Sequence, residues 1–280
     1  MTNKDKRLPQ AKSPWLVVRK LPQYIDFMRS RWLQGVGAKL DWLWPSRIRA
    51  VLPSRCAICQ DWPQAPLCEA CISRFAQPRH RCPGCALPLH PSAQRCVTCL
   101  RTPPPLDLCL AATGYEWPWV DLIARYKFQQ QPAWASPLAT LMRSIPGAED
   151  TLDGADWVLP IPLSTHRLAE RGYNQSWLLA RQLSPRNAAA HLLLKTRDTP
   201  VQSSLPRAER LANLVGAYAV EPLLAARMRG KNLVLIDDVM TSGASLHTAA
   251  QVLRQAGAAK VSALVLARTE AASEPWAQAQ

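Results

Sequence analysis

Two groups of residues in this 280-residue sequence have the types and spacing to do chemistry. The first is the run Leu233-Val-Leu-Ile-Asp-Asp-Val-Met-Thr-Ser-Gly-Ala-Ser245. An apolar strand pattern ends in two carboxylates, and a hydroxyl-and-glycine turn then opens a helical pattern. In such an arrangement the main-chain N–H groups of Thr241, Ser242, Gly243, Ala244 and Ser245 can surround a phosphate, helped by the positive end of the following helix. Gly243 lets the backbone approach closely without a Cβ in the way, and the hydroxyls of Thr241, Ser242 and Ser245 add donors. Asp237 and Asp238 stand where carboxylates accept hydrogen bonds from vicinal ribose hydroxyls, at the carboxyl end of a strand, where open α/β sheets bind their ligands. An ordinary capped strand–turn–helix accounts for one carboxylate and one hydroxyl, not for this combination. The run lacks the Gly-Lys-Ser/Thr ending of a Walker loop and is not a dinucleotide loop.

The second group is four C-x-x-C pairs: Cys56 with Cys59, Cys68 with Cys71, Cys82 with Cys85, and Cys96 with Cys99. Two thiolates spaced by two residues chelate one tetrahedral ion from a tight turn, and two such turns close a four-cysteine site. Eight ligands predict two structural zinc ions, with redox pairs or an iron–sulfur cluster as the competing uses. Sequential pairing of the turns is simplest, and an interleaved cross-brace is the alternative. Cys109 has no such partner and reads as a core residue.

These residues need a scaffold. Ala111–Trp117 reads as a strand and Trp119–Phe128 as a helix. Trp157–Pro162 is a short buried strand running into a proline stop. Ser176–Leu183 is helical and His191–Leu194 strand-like. Asn232–Ile236 is an apolar strand, Ala244–Ala256 a helix and Val261–Ala267 another strand. The alternation predicts a mainly parallel sheet with helices on both faces, an α/β fold. Arg101-Thr-Pro-Pro-Pro105 reads as a stiff linker between a cysteine module over 55–100 and this α/β domain over 110–270.

The formal charge is +14, and residues 1–55 alone hold 12 Lys/Arg against 3 Asp/Glu. This basic, Trp-containing extension over residues 1–50 suits an acidic polymer or an anionic surface. Within it Tyr24, Ile25, Met28, Trp32, Val36 and Leu40 recur near helical spacing, an amphipathic pattern that can dock on the protein body, a membrane surface or nucleic-acid bases. No apolar run is long enough to span a bilayer. Lys12, Arg19, Lys20 and Asp26 interrupt any signal-peptide core, so the expected location is the cytoplasm, where thiols stay reduced.

The Asp237–Ser245 segment resembles the phosphoribosyl pyrophosphate (PRPP) motif of type I phosphoribosyltransferases, with Ser242 and Ser245 where many relatives carry Thr. Three further segments sharpen the resemblance: Tyr126-Lys127-Phe128, Pro160-Ile-Pro-Leu…Arg167…Arg171-Gly-Tyr-Asn-Gln175, and Lys195-Thr-Arg-Asp-Thr-Pro-Val-Gln202…Leu205…Arg210…Asn213…Gly216-Ala217. With the cysteine pairs, they are similar to the competence protein F (ComF) family of bacterial DNA-uptake proteins over roughly residues 55–268. The resemblance implies a double zinc ribbon ahead of a phosphoribosyltransferase domain, with Asp237 and Asp238 on the ribose and Thr241–Ser245 on the 5-phosphate. Pyrophosphate carries several negative charges that must be neutralised, and Lys127, Arg167 and Arg171 are suited to this. Gly172, Asn174 and Gln175 belong to the same segment, where Gly172 could free the backbone N–H groups beside Arg171 for the ligand. Lys195–Gln202 resembles the loop that closes over the site in this superfamily, where Arg197 and Gln202 contact ligand or anchor the loop. Mg2+ would accompany PRPP.

No residue is identified as catalytic, and the acceptor is not legible. Three functions remain open: an active transferase, a catalytically silent PRPP-binding adaptor, and a protein that handles single-stranded DNA alongside DNA-uptake partners. The oligomeric state is equally open.

Overall fold

The computed structural model describes residues 54–197 and 216–270. The helical pattern over Tyr24–Leu40 and the loop residues Gln202, Leu205, Arg210 and Asn213 lie outside them. Four strands build a parallel sheet in the order β1 (Leu108–Gly114), β6 (Lys260–Arg268), β5 (Asn232–Met240), β2 (Trp157–Pro160). A separate two-stranded antiparallel ribbon joins β3 (Leu193–Lys195) to β4 (Tyr218–Val220).

The two central strands are nearly continuous apolar runs because both of their faces are covered. Leu233, Leu235, Val261, Ala263 and Val265 pack on one side with Leu246, Ala249, Ala250 and Leu253 of helix α8 (Ala244–Gln255). Val234, Ile236, Leu264 and Leu266 pack on the other with three helices: α3 (Trp119–Phe128), α4 (Ala135–Arg143) and α7 (Gln175–Leu183). Helices therefore flank both faces, as the alternating pattern predicts. Each fully buried Leu or Ile contributes about 1.5–3 kcal/mol of burial free energy, so this double-sided core dominates the fold.

Several elements run differently from the sequence pattern. β5 does not stop at Ile236 but pairs with β6 through Asp237↔Val265 and Met240↔Arg268. The two acids thus stand inside the paired end of the sheet. β1 begins three residues before Ala111 and ends at Gly114, because its register follows β6 from Leu108↔Ser262 onward. Trp117 falls in the turn before α3, stacked edge-on against Phe75 at 5.1 Å. α4, α5 (Ala148–Asp153) and α6 (Thr165–Arg171) are additional. α6 buries none of its residues, so no apolar periodicity announces it.

The cysteine segment carries two short helices, α1 (Glu69–Phe75) and α2 (Val97–Arg101). The second half of that segment is not a remote appendage. Cys82, Cys85, Ala86 and Cys99 share one apolar cluster with Leu106, Cys109, Ala111 and the β5–β6 face covered by α8. Cys109 N–H donates to the Pro83 carbonyl at 2.7 Å. On the other half, Trp119 Nε1 donates to the Phe75 carbonyl at 2.9 Å, tying α1 to α3.

Candidate functional site

The turn between β5 and α8 is built around Gly243. Its φ is +79°, and a Cβ there would lie 2.5 Å from the Met240 Cε and 3.0 Å from the His247 ring. Backbone sign and space both require glycine. α8 starts at once behind it, so the free N–H groups of its first turn face the same opening. Ser242 Oγ accepts from the Ala244 N–H at 3.4 Å, holding the turn in shape.

A cavity of about 480 Å³ opens over this turn, a size suited to a small organic ligand. Thr241, Ser242, Gly243, Ala244 and Ser245 line it together with Asp237, Asp238, Lys127, Arg167, Arg171 and Gln175. Segments spread over more than a hundred residues of chain thus converge on one opening.

The two carboxylates are managed differently. Asp238 is buried and pairs with Lys127, Oδ1 to Nζ 2.9 Å. Asp237 Oδ1 accepts from Ser176 Oγ at 3.0 Å and from the Asp238 N–H at 2.9 Å. Burial, and then the charge on Asp238, push the Asp237 carboxyl up to about 7, although Lys127 and these hydrogen bonds pull the other way. Two adjacent acids in one low-dielectric site do not both hold a full charge easily. Tyr218, which also lines the cavity, has its phenol pushed up to about 12, chiefly by burial.

The cationic wall comes from α3, α6 and the turn into α7. Arg171 Nη1 donates to Gln175 Oε1 at 3.1 Å, and its guanidinium lies 5.2 Å from the Phe128 ring centre. Gln175 Nε2 donates back to the Lys127 carbonyl at 3.4 Å, and Tyr126 Oη donates to the Gln175 carbonyl at 2.7 Å. The ends of α3 and α7 are thereby locked together beneath Lys127.

Gly172 and Asn174 shape this wall instead of lining the cavity. Gly172 ends α6 at φ +79°, and its N–H is spent on the Leu168 carbonyl at 2.9 Å, so it is not offered to the opening. Asn174 caps α7, its Oδ1 accepting from Trp177 N–H at 3.1 Å while its Nδ2 donates to the Ile161 carbonyl at 3.0 Å. Arg197 is exposed beyond β3 and does not line the cavity. Gln202 lies outside the described residues. His166 sits exposed on α6, away from the cavity lining. Ser176 and Tyr218 line the cavity without having been singled out from the sequence. Ser176 directly follows Gln175 and was within reach. Tyr218 was not, since it arrives by pairing with Lys195 across the β3–β4 ribbon.

The cysteines settle into sequential sets. Cys56, Cys59, Cys68 and Cys71 form one group and Cys82, Cys85, Cys96 and Cys99 the other, with the sulfur atoms of each group within 4.8 Å of one another. The cross-brace is therefore not adopted. Cys59 and Cys68 sulfurs are 3.7 Å apart, and Cys85 and Cys96 sulfurs 3.6 Å. A tetrahedron with Zn–S bonds of about 2.3 Å has sulfur–sulfur edges of about 3.8 Å, so each group can hold zinc. Main-chain N–H groups of Ile58 and Cys68 point at Cys56 Sγ, and that of Cys96 at Cys82 Sγ, the donors that stabilise thiolates in metal knuckles. Cys109 is buried apart from both sets. It donates to Met240 Sδ at 3.6 Å, and burial pushes its thiol up to about 12, as a core residue should.

No helix of the described residues is long and apolar enough to cross a membrane. A family model described as phosphoribosyl transferase domain matches residues 180–279. With the parallel sheet and its cavity, this defines the class: a phosphoribosyltransferase-type domain that carries two four-cysteine groups. The chain is 32% identical over 209 residues to the DNA utilization protein YhgH of Escherichia coli, covering 72% of this chain and 90% of that protein. It is 30% identical over 208 residues to competence protein F of Haemophilus influenzae, with 72% and 90% covered. Competence protein ComFC of Bacillus subtilis matches at 30% over 220 residues, with 74% and 86% covered. The chain belongs to the competence protein F (ComF) family.

Elemental analysis of protein produced without added metal is expected to give about two zinc ions per chain, since each four-sulfur set accommodates one; iron, or folded protein without metal, would reject that use of the cysteines. Asp237→Asn tests the raised carboxyl. An unfolded Asp titrates near 3.9, so between about 4 and 7 the folded state holds a proton that the unfolded state lacks. The resulting stability is full below that window and lost as pH rises through 7. The melting advantage of Asp237→Asn over the parent should therefore grow by about 5–10 °C from pH 5 to pH 8.5. A difference that stays flat with pH would remove the assignment.

Proposed function

We propose that this chain binds PRPP with Mg2+ in the cavity above the β5–α8 turn, and that it does so in the handling of DNA taken up by the cell. One observation carries the reading: a glycine-centred turn, two adjacent acids and four cations (Lys127, Arg167, Arg171 and Lys195) line a single opening. Each part has a chemical counterpart on the ligand. The N–H groups and hydroxyls of Thr241–Ser245 suit the 5-phosphate. Asp237 and Asp238 suit the vicinal ribose hydroxyls. Lys127, Arg167 and Arg171 suit the pyrophosphate, whose charge needs several positive partners in a site partly withdrawn from water. Mg2+ bound with the ligand would stabilise charge on the leaving group.

Displacement at ribose C1 passes through an oxocarbenium-like state, and Lys127, Arg167 and Arg171 would favour it by holding the departing pyrophosphate. Lys195 and Tyr218 also line the cavity, Lys195 Nζ donating to Tyr218 Oη at 3.4 Å. The names of the relatives supply the biological setting, DNA utilization and competence.

Asp237→Ala combined with Asp238→Ala should abolish PRPP binding measured by calorimetry in the presence of Mg2+, while the far-ultraviolet circular dichroism stays that of the parent. Unchanged affinity would refute the ribose assignment. Incubation of the parent with isotope-labelled PRPP and a panel of bases and amines separates transfer from binding alone.

A second role in contacting single-stranded DNA is favoured by the +9 charge of residues 1–55 and by cations lying over rings, Arg74 over Phe75 at 5.2 Å and Arg181 over Trp177 at 5.8 Å. Binding of a labelled oligonucleotide should weaken steeply with salt, and removal of residues 1–53 should lower the salt slope by several units. A slope unchanged by the truncation would exclude the extension from the contact.

A further inference from the structure

Arg268 ends β6 with its side chain buried, a costly position for a guanidinium unless its donors are satisfied. Those donors reach main-chain carbonyls from segments far apart in sequence, and Nη1 also meets the carbonyl and hydroxyl of the neighbouring Thr269. Nε donates to the Cys85 carbonyl at 2.8 Å, inside the second cysteine set. Nη1 donates to the Met240 carbonyl at 3.1 Å and to the carbonyl of Thr241, the first residue of the turn beneath the cavity. A planar fork holds such acceptors in fixed relative positions, which an ammonium on a flexible stem does not.

An apolar line runs beside this polar one. The Cys109 N–H reaches the Pro83 carbonyl, and the Cys109 thiol reaches Met240 Sδ. The Met240 methyl in turn fills the space that a Cβ on Gly243 would need. The Cys82–Cys85 turn and the Thr241–Ser245 turn are thus joined by two short routes.

We propose that Arg268 is a positioning residue that ties the shape of the Thr241–Ser245 turn to the metal state of the Cys82, Cys85, Cys96 and Cys99 set, so that loss of that ion weakens anion binding at the turn. An ion fixes the Cys82–Cys85 backbone and with it the carbonyl that Arg268 Nε holds. Nη1 holds the Thr241 carbonyl, and because the peptide unit is planar, the direction of that carbonyl sets the direction of the Ser242 N–H. The first cysteine set packs in a separate small cluster with Ile58 and Phe75 and serves as an internal control. Coupling between sites is reciprocal, so a ligand on the turn must also retain the second ion.

The ligand in this inference rests on the PRPP reading; the Arg268 contacts do not, and the experiment separates the two. In isotope-labelled full-length protein, exchange of zinc for the larger cadmium should shift the amide resonances of both Gly84 and Thr241–Gly243. In Arg268→Lys, which keeps the charge but loses the fork, Gly84 should still shift while Thr241–Gly243 stay in place. Loop amides that never move, or that move equally in Arg268→Lys, overturn the proposal. In parallel, saturating PRPP should slow release of one zinc ion to a chromogenic chelator by about tenfold and leave the other unchanged, and Arg268→Lys should erase the difference. Equal slowing of both ions indicates general stabilisation and also overturns it. Absence of PRPP binding in calorimetry defeats the ligand reading alone, and the cadmium shifts then decide the role of Arg268.

Discussion

The site depends on two neighbouring carboxylates being carried into the paired, water-poor end of a parallel sheet. Backbone pairing of β5 with β6 continues past both acids to Met240, so neither can swing away into bulk solvent. Their mutual repulsion has to be relieved locally. Lys127 takes up the charge of Asp238, and Asp237 leans on a hydroxyl, a peptide N–H and partial protonation. The rest of the architecture serves that relief. α3 must deliver Lys127 and α7 must deliver Ser176, and the Tyr126–Gln175 contact holds those helix ends at the correct separation.

Much of this was legible before any coordinates. The β5–turn–α8 run announces itself because an oily strand, two acids and a glycine turn are contiguous, and local sequence is enough to place them. The helix Trp119–Phe128 was equally readable, since Trp119, Leu122, Ile123 and Tyr126 recur at one face and are indeed the buried residues. The cysteine spacing pointed to two four-cysteine sites but not to their pairing, because neighbouring C-x-x-C turns satisfy either arrangement until the backbone path is known.

What stayed hidden was non-local. Arg268 reads as one more cation after an apolar strand, and only the folded chain shows its donors joining Cys85 to Thr241. Tyr218 reaches the cavity through antiparallel pairing with residues more than twenty positions away. Gly172 was placed by type but not by role: its left-handed conformation ends α6 and leaves its N–H engaged. α6 itself carries no buried face, so its seven residues leave no periodic trace.

The second cysteine group also acts as a lid on oil. Cys82, Cys85, Ala86 and Cys99 press against Ala111, Cys109 and the side of the sheet that holds Val261, Ala263 and Val265. Cutting the chain at the triple proline to obtain the C-terminal portion by itself would strip that lid away and leave a greasy strip of strand surface facing water. Material prepared that way would be prone to clump, and a lost activity in it would say little about the chemistry of the severed ribbon.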